Sequence, residues 1–221
     1  MTFKWKTTTA LVLAGAALAS GCGSTAATHT TTTPSATTPA PAVPARSATA
    51  RPAASRPATG APPAFAWLHP APAPPAWRLA RLTGTAALAY PPSWHRIQSD
   101  PGTVSAAVVA AGTGLITEYL NATPQQASET LADWSRFRPA HNREEGDMQE
   151  QVLAAARDLR FRNGRGSCII DRYRTSRARY TEIACLVQAP TAETVIVAAG
   201  LAARWPQEAP ALERAVSAFL A

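Results

Sequence analysis

Apart from Lys4 and Lys6 the chain has no lysine, and every other basic residue is arginine. It has only 3 cysteines in 221 residues, and no acidic residue lies between Thr25 and Pro75. No internal apolar run approaches the ~20 residues a helix needs to cross a bilayer, which excludes a polytopic membrane protein. Motifs of several enzyme classes are missing as well. There is no Gly-x-Ser-x-Gly elbow to present a hydrolase nucleophile. Gly164-Arg165-Gly166-Ser167 lacks the Gly-Lys-Ser/Thr of a phosphate cradle and reads better as a turn. The C-terminal two thirds contain two histidines, His95 after Trp94 and His141 in a polar loop, both read as surface residues. A metal site would need ligands from elsewhere, so no metal and no cofactor are expected. What is present, 46% apolar and 7% aromatic residues, supports a core and excludes wholesale disorder.

The first residues read as an address. Lys4 and Lys6 form a positive start, Leu11 to Leu18 an apolar stretch too short to span comfortably, and small residues follow. Leu18-Ala19-Ser20-Gly21 running into Cys22 resembles a bacterial lipobox, with Ala19 where the strongest examples carry leucine. The resemblance implies that residues 1–21 are a signal peptide and that Cys22 is acylated and becomes the first mature residue. Several acyl chains anchor stably, since each buried CH₂ contributes ~0.8 kcal/mol and one chain alone is marginal. The protein is therefore expected outside the cytoplasm, held to the bacterial cell membrane.

Residues 22–75 are nearly all Thr, Ala, Pro and Ser after the cysteine, with Arg46, Arg51 and Arg56 as the only formal charges. Such a segment buries too little to offset the entropy of ordering, so a disordered tether is expected. Its composition also suits an O-glycosylated stalk. Phe65, Ala66, Trp67 and Leu68 interrupt it and are candidates to dock back onto the domain. Residues 76–221 carry 16 Arg against 14 acidic residues. This near balance leaves little reason to expect a nucleic-acid partner.

In that domain Ala86 to Tyr90 reads as a strand ending in a Pro91-Pro92 turn, and Val104 to Ala110 with Leu115 to Leu120 as a hairpin around Gly112-Thr113-Gly114. Asn121-Ala122-Thr123 matches a glycosylation sequon, but Thr123-Pro124-Gln125-Gln126 reads as the capped start of a helix. Leu131, Trp134 and Arg138 then share a helical face, with Phe137 beside them. Asn163-Gly164 suits a tight type I′ hairpin. Strands follow over Ser167 to Tyr173, Tyr180 to Gln188 and Thr194 to Ala199. Glu208 to Ala221 is an amphipathic helix with Leu212, Val216 and Phe219 on one face. The whole is an α+β domain, an antiparallel meander with packed helices.

With Cys22 assigned to lipid, Cys168 and Cys185 remain, an even number for an oxidising compartment. A hairpin centred between Ser176 and Arg177 sets Cys168 opposite Cys185, where a disulfide is expected. The same register opposes Tyr173 to Tyr180 and Asp171 to Glu182. Two facing carboxylates repel unless a cation bridges them or one keeps its proton; Arg172, Arg179 and Arg160 are candidate cations. A solvated face or a one-residue slip in register explains the pair more cheaply than a carboxylate active site.

The strand ending Tyr90-Pro91-Pro92-Ser93-Trp94, a hairpin, a helix, a strand meander and a C-terminal helix together resemble a PsbP/Mog1-type domain. Actinobacterial lipoproteins of the LpqN kind are similar in plan. The resemblance implies an α/β/α sandwich with binding or assembly roles and no shared catalytic residues. The strongest surface feature is a cluster of Arg172, Arg174, Arg177 and Arg179 at one hairpin tip, with Arg160, Arg162 and Arg165 at another. These tips suit an anionic glycan, lipid or envelope protein, or are solvated edges that discourage aggregation. The expected function is a lipid-anchored, non-catalytic binding or assembly module of the cell envelope. An envelope enzyme using Asp171 and Glu182, and a structural wall spacer, are the alternatives.

Overall fold

The computed structural model describes residues 62–221 apart from Thr83. The signal segment, Cys22 and the tether up to residue 61 lie outside the described residues. Residues 62–75, assigned by composition to the tether, are packed on the domain at their start. Phe65, in a single 3-10 turn (Pro63–Phe65), is fully buried, Leu68 nearly so, and Trp67 packs beside them.

Nine strands and two helices follow among the described residues. β1 (Arg78–Arg81) and β2 (Ala87–Tyr90) form a separate hairpin. β3 (His95–Arg96), β4 (Val104–Ala110), β5 (Leu115–Pro124), β6 (Met148–Phe161), β7 (Gly164–Arg174), β8 (Arg179–Gln188) and β9 (Glu193–Leu201) make one antiparallel sheet in the order β3-β4-β5-β9-β8-β7-β6. Helix α1 (Trp134–Glu144) connects β5 to β6 and lies against β6, β7 and β8. Helix α2 (Trp205–Ala218) packs on β9 and on the β1–β2 hairpin. Each helix has its own apolar cluster. Cys168, Ile183, Cys185, Ile196 and Leu120 meet α2, whereas Ile169, Ala184, Leu186, Val195 and Val197 meet Trp134 of α1. Successive strand residues alternate between these sets, so the sheet is buried on both faces and the fold is an α/β/α sandwich.

The meander register is as expected. Cys168 pairs with Cys185, Ile170 with Ile183, Asp171 with Glu182 and Tyr173 with Tyr180. The cysteines form a disulfide with Cα atoms 4.1 Å apart, buried on the α2 face. It joins strands that already form a hairpin, its ends 17 positions apart in the chain. Replacing both cysteines by alanine should therefore lower unfolding free energy by about 2–4 kcal/mol in urea titrations.

Three local readings are corrected. Thr123 and Pro124 end β5 and pair with Val195 and Thr194 of β9 instead of opening a helix. The Thr123 hydroxyl shares a 2.8 Å hydrogen bond with Thr103, and the Gln125 amide donates to Glu193 O at 2.9 Å, extending the ladder. The helix opens later, after a turn in which the Asp133 amide donates to Thr130 Oγ1 at 3.2 Å. At the next hairpin Phe161 pairs with Gly164, so the two loop residues are Arg162 and Asn163, and only Asn163 of these has positive φ, at 64°. Gly164 is needed within β7, because a Cβ there would lie 2.6 Å from Gln188 O. Finally, α2 stops at Ala218, since Leu220 turns extended and bridges both Ala87 and Arg162. Its predicted face of Leu212, Val216 and Phe219 is fully buried.

The sheet has two edges of different character. β3 has only two residues. β6 has 14, but its register against β7 breaks at three places, between Met148 and Gln151, Val152 and Ala154, and Ala156 and Leu159. Bulges of this kind twist an edge away from strand-to-strand pairing.

Candidate functional site

The amino-terminal half of α1 rests on aliphatic side chains and its carboxyl-terminal half rests on charge. Trp134 is buried, and its indole N–H donates to Ala184 O at 2.9 Å. One turn on, Arg138 reaches Glu182 of β8 with two hydrogen bonds, Nε to Oε1 at 2.8 Å and Nη2 to Oε2 at 3.0 Å. A further turn on, Asn142 Nδ2 donates to Asp171 Oδ2 of β7 at 3.5 Å. Spacing of four residues places all three on the sheet-facing stripe of the helix. Asp171, Glu182 and Asn142 are fully buried.

The opposed carboxylates are therefore neither solvated nor out of register. Their cation is Arg138, and none of the three arginines expected from the strands. Arg172 points to the opposite face and donates from Nε to Thr181 Oγ1 at 3.5 Å. Arg179 donates to Gln149 Oε1 at 3.0 Å, and Arg160 pairs across the ladder with Arg165, far along β7. Burial works against the Arg138 charge, but the Glu182 carboxylate outweighs it and holds the guanidinium more firmly protonated than usual.

One guanidinium stands among four carboxyl groups: Glu182, Asp171, Glu150 from β6 and Asp147 from the turn before it. Burial first, then Glu182 and Glu150, push Asp171 far above the ordinary carboxyl range. Burial likewise raises Glu150, and lifts Asp147 to about 7 with help from Glu182. Tyr173 is raised well above its usual value, by burial and then Glu182.

An acid whose folded value exceeds its unfolded one binds its proton more tightly in the native state, so stability falls as pH rises above about 4. Thermal or urea unfolding should show the domain losing stability steadily from weakly acidic into alkaline buffer, at a slope of up to about 1.4 kcal/mol per pH unit for one such group. Asp171→Asn, which supplies a neutral side chain of the same shape, should flatten that slope. An unchanged slope would mean that Asp171 is not the group responsible.

Both carboxyl groups are buried, Glu182 against Arg138 and Asp171 against Asn142. One surface depression, about 300 Å³, is lined by Ser135, Ala155, Ala156, Arg157, Ser167 and Cys168 and contains neither carboxylate. Among the described residues no group of three or more His, Cys, Asp or Glu side chains is disposed to hold a metal ion. His95 is exposed on β3. His141 lies within α1, where it stacks on Phe137 with ring centres 5.7 Å apart and its Nε2 is 3.4 Å from Glu145 Oε1, in place of the polar loop expected for it.

The hairpin tips are where charge is exposed. Arg172, Arg174, Arg177 and Arg179 all face solvent at the β7–β8 turn, and among the described residues none of them is ion-paired. Arg177 clips this turn to the β4–β5 turn, donating to Thr113 O at 2.7 Å and Gly114 O at 3.1 Å. Arg162 and Arg165 sit at the other end of the sheet, donating to Ala218 O and Gln188 Oε1. No helix among the described residues is long and apolar enough to cross a membrane.

No protein-family model matches the chain, and no curated protein matches it. Among solved structures it is similar to a Pseudomonas aeruginosa protein of unknown function, at 16% identity and TM-score 0.43, over 66% of this chain and 96% of that one. It is similar to cyanobacterial PsbP from Synechocystis at 16% identity and TM-score 0.47, over 65% and 91% of the two chains. It is also similar to LpqN of Mycobacterium tuberculosis, described as involved in cell envelope biogenesis, at 15% identity and TM-score 0.35, over 67% and 80%. Both kinds of protein that the sequence resembles are thus among these structures. At such scores they carry nothing about the site.

Proposed function

We propose that this protein is a lipid-anchored binding or assembly module of the bacterial cell envelope, and that the β7–β8 arginine tip is its contact surface. The observation that carries the reading is the tip itself: four exposed guanidinium groups at one turn with no carboxylate partner among the described residues. Arginine forks of this kind suit phosphate or carboxylate groups, so the partner is an acidic protein, an anionic glycan or lipid headgroups. The location rests on the order of Lys4 and Lys6, Leu11 to Leu18, small residues and Cys22. Burial of Asp171 and Glu182 weighs against the enzymatic alternative, which needs that pair within reach of substrate.

The test is photo-cross-linking in living cells from a reactive residue placed at Arg174, followed by mass spectrometry of what is attached. A recurrent protein or anionic glycan is expected, lost when Arg174 and Arg177 are changed to glutamate and lost from the Cys22→Ala form. No recurrent attachment, with folding of the full chain confirmed, would sink the contact-surface reading. A wall spacer would tolerate the arginine changes and respond to shortening of the segment between Cys22 and the domain.

A further inference from the structure

Edge strand β6 leaves its regular course where it passes the buried carboxyl groups. An extra residue stands between the Met148–Arg174 and Gln151–Arg172 pairs, and Gln149 there has φ of 55°. That left-handed conformation is unfavourable for a non-glycine residue, so the surroundings must offset it. The bulge turns Glu150 inward. Both its carboxyl oxygens are buried, whereas its neighbours Gln149 and Gln151 are exposed. No well-aligned hydrogen bond reaches either Glu150 oxygen, Asp171 Oδ1 or Asn142 Oδ1, although the side chains of Asp171 and Asn142 lie close enough to act on the Glu150 carboxyl. Acceptors that face one another in a dry interior repel, unless a proton converts one of them into a donor.

We propose that the Gln149–Glu150 bulge is a proton-operated latch: with one proton held between Glu150 and Asp171 it lies closed over the carboxyl-terminal end of α1, and with that proton gone it lifts from the sheet. In the closed state Asp171 carries the proton and its O–H donates to Glu150. On opening, the O–H bond breaks, the proton passes to water or hydroxide, and two buried carboxylates are left facing each other. The other charged and titratable groups around them deepen the repulsion on balance. Glu182 comes from β8, Tyr173 from β7, and Glu145 and Asp147 from the turn after α1; Arg138 of α1 opposes them. Asp171 is raised by burial first and then by Glu182, so the latch stays closed in acid and neutral solution and opens on the alkaline side.

The ladder itself offers β6 little resistance there. Gln149, Glu150 and Leu153 have no partner in β7. The bulge also carries the acceptor of Arg179, since Gln149 Oε1 takes the Arg179 Nη2 hydrogen bond at 3.0 Å. Opening thus frees one guanidinium of the tip. The latch does not depend on the lipid anchor or on any partner.

Amide hydrogen exchange of the full chain tests it, read as protection factors with the intrinsic pH dependence divided out. Residues 148–153 should lose protection by about tenfold or more between pH 6 and pH 10, while residues 183–187 of β8 hold theirs. Asp171→Asn gives Glu150 a permanent amide donor and should keep 148–153 protected at both values. Glu150→Gln gives Asp171 one and should do the same, which covers the case in which one variant fails to fold. Equal wild-type protection at both pH values would overturn the latch. So would a loss that persists unchanged in a folded variant of either kind.

Discussion

Arg138→Ala is expected to cost the domain about 3–5 kcal/mol of unfolding free energy, because it leaves the Glu182 carboxylate buried without its cation. For a domain of this size that corresponds to a fall in melting temperature of roughly 10 °C or more. The loss should exceed what the ion pair contributes relative to an apolar core. Two charges taken out of water together gain little over well-packed hydrocarbon, whereas one alone is strongly unfavourable. Arg138→Met combined with Glu182→Leu should therefore be more stable than Arg138→Ala. Urea titrations of the two variants decide the matter. If the double variant is the less stable, the pair contributes through its own attraction and not only by neutralising buried charge.

Trp134→Ala is expected to cost a similar amount, about 3–5 kcal/mol. The indole is buried against Ile169, Leu186, Val195 and Val197, and its removal opens a cavity between α1 and the sheet. It also removes the hydrogen bond to Ala184 O. Trp134→Phe keeps much of the apolar contact and loses only the donor, so it should cost far less. Comparable losses for the two variants would place the contribution in the hydrogen bond instead of the packing.

Parts of this architecture are legible along the chain, and the reason is periodicity. The β7–β8 hairpin has a short polar turn between two strands, and opposed residues in a hairpin follow from the position of the turn alone. Cys168 with Cys185 and Asp171 with Glu182 therefore come out in register. The α2 face of Leu212, Val216 and Phe219 is legible for the same reason. Thr123-Pro124 is not, since a threonine before a proline satisfies a helix cap and a strand end equally well. The deciding partner is β9, about seventy residues later, which pairs with β5. The order β5-β9-β8 is likewise invisible locally, because α1 and three strands intervene in the chain.

The interior of the site shows the same limit. Glu182 and Arg138 are 44 residues apart, on a strand and a helix, and nothing local couples them. The arginines nearest the pair in the sheet fail because strand alternation sends Arg172 to the other face. Leu131 falls in the turn before α1, but the helical face shared by Trp134 and Arg138 carries the signal: a charged residue on a stripe that faces a sheet needs an opposite charge beneath it. Glu150 had no such signal. It is turned inward by a bulge, and bulges break the alternation from which facing is read.

The envelope role proposed above depends on a lipid anchor at Cys22. The direct measurement is the mass of the amino-terminal peptide of the protein purified from its own cells' membranes. The expected result is a mature chain that begins at Cys22 and bears a diacylglyceryl group on the thiol. A chain that begins elsewhere, or a Cys22 with an unmodified thiol, would contradict it.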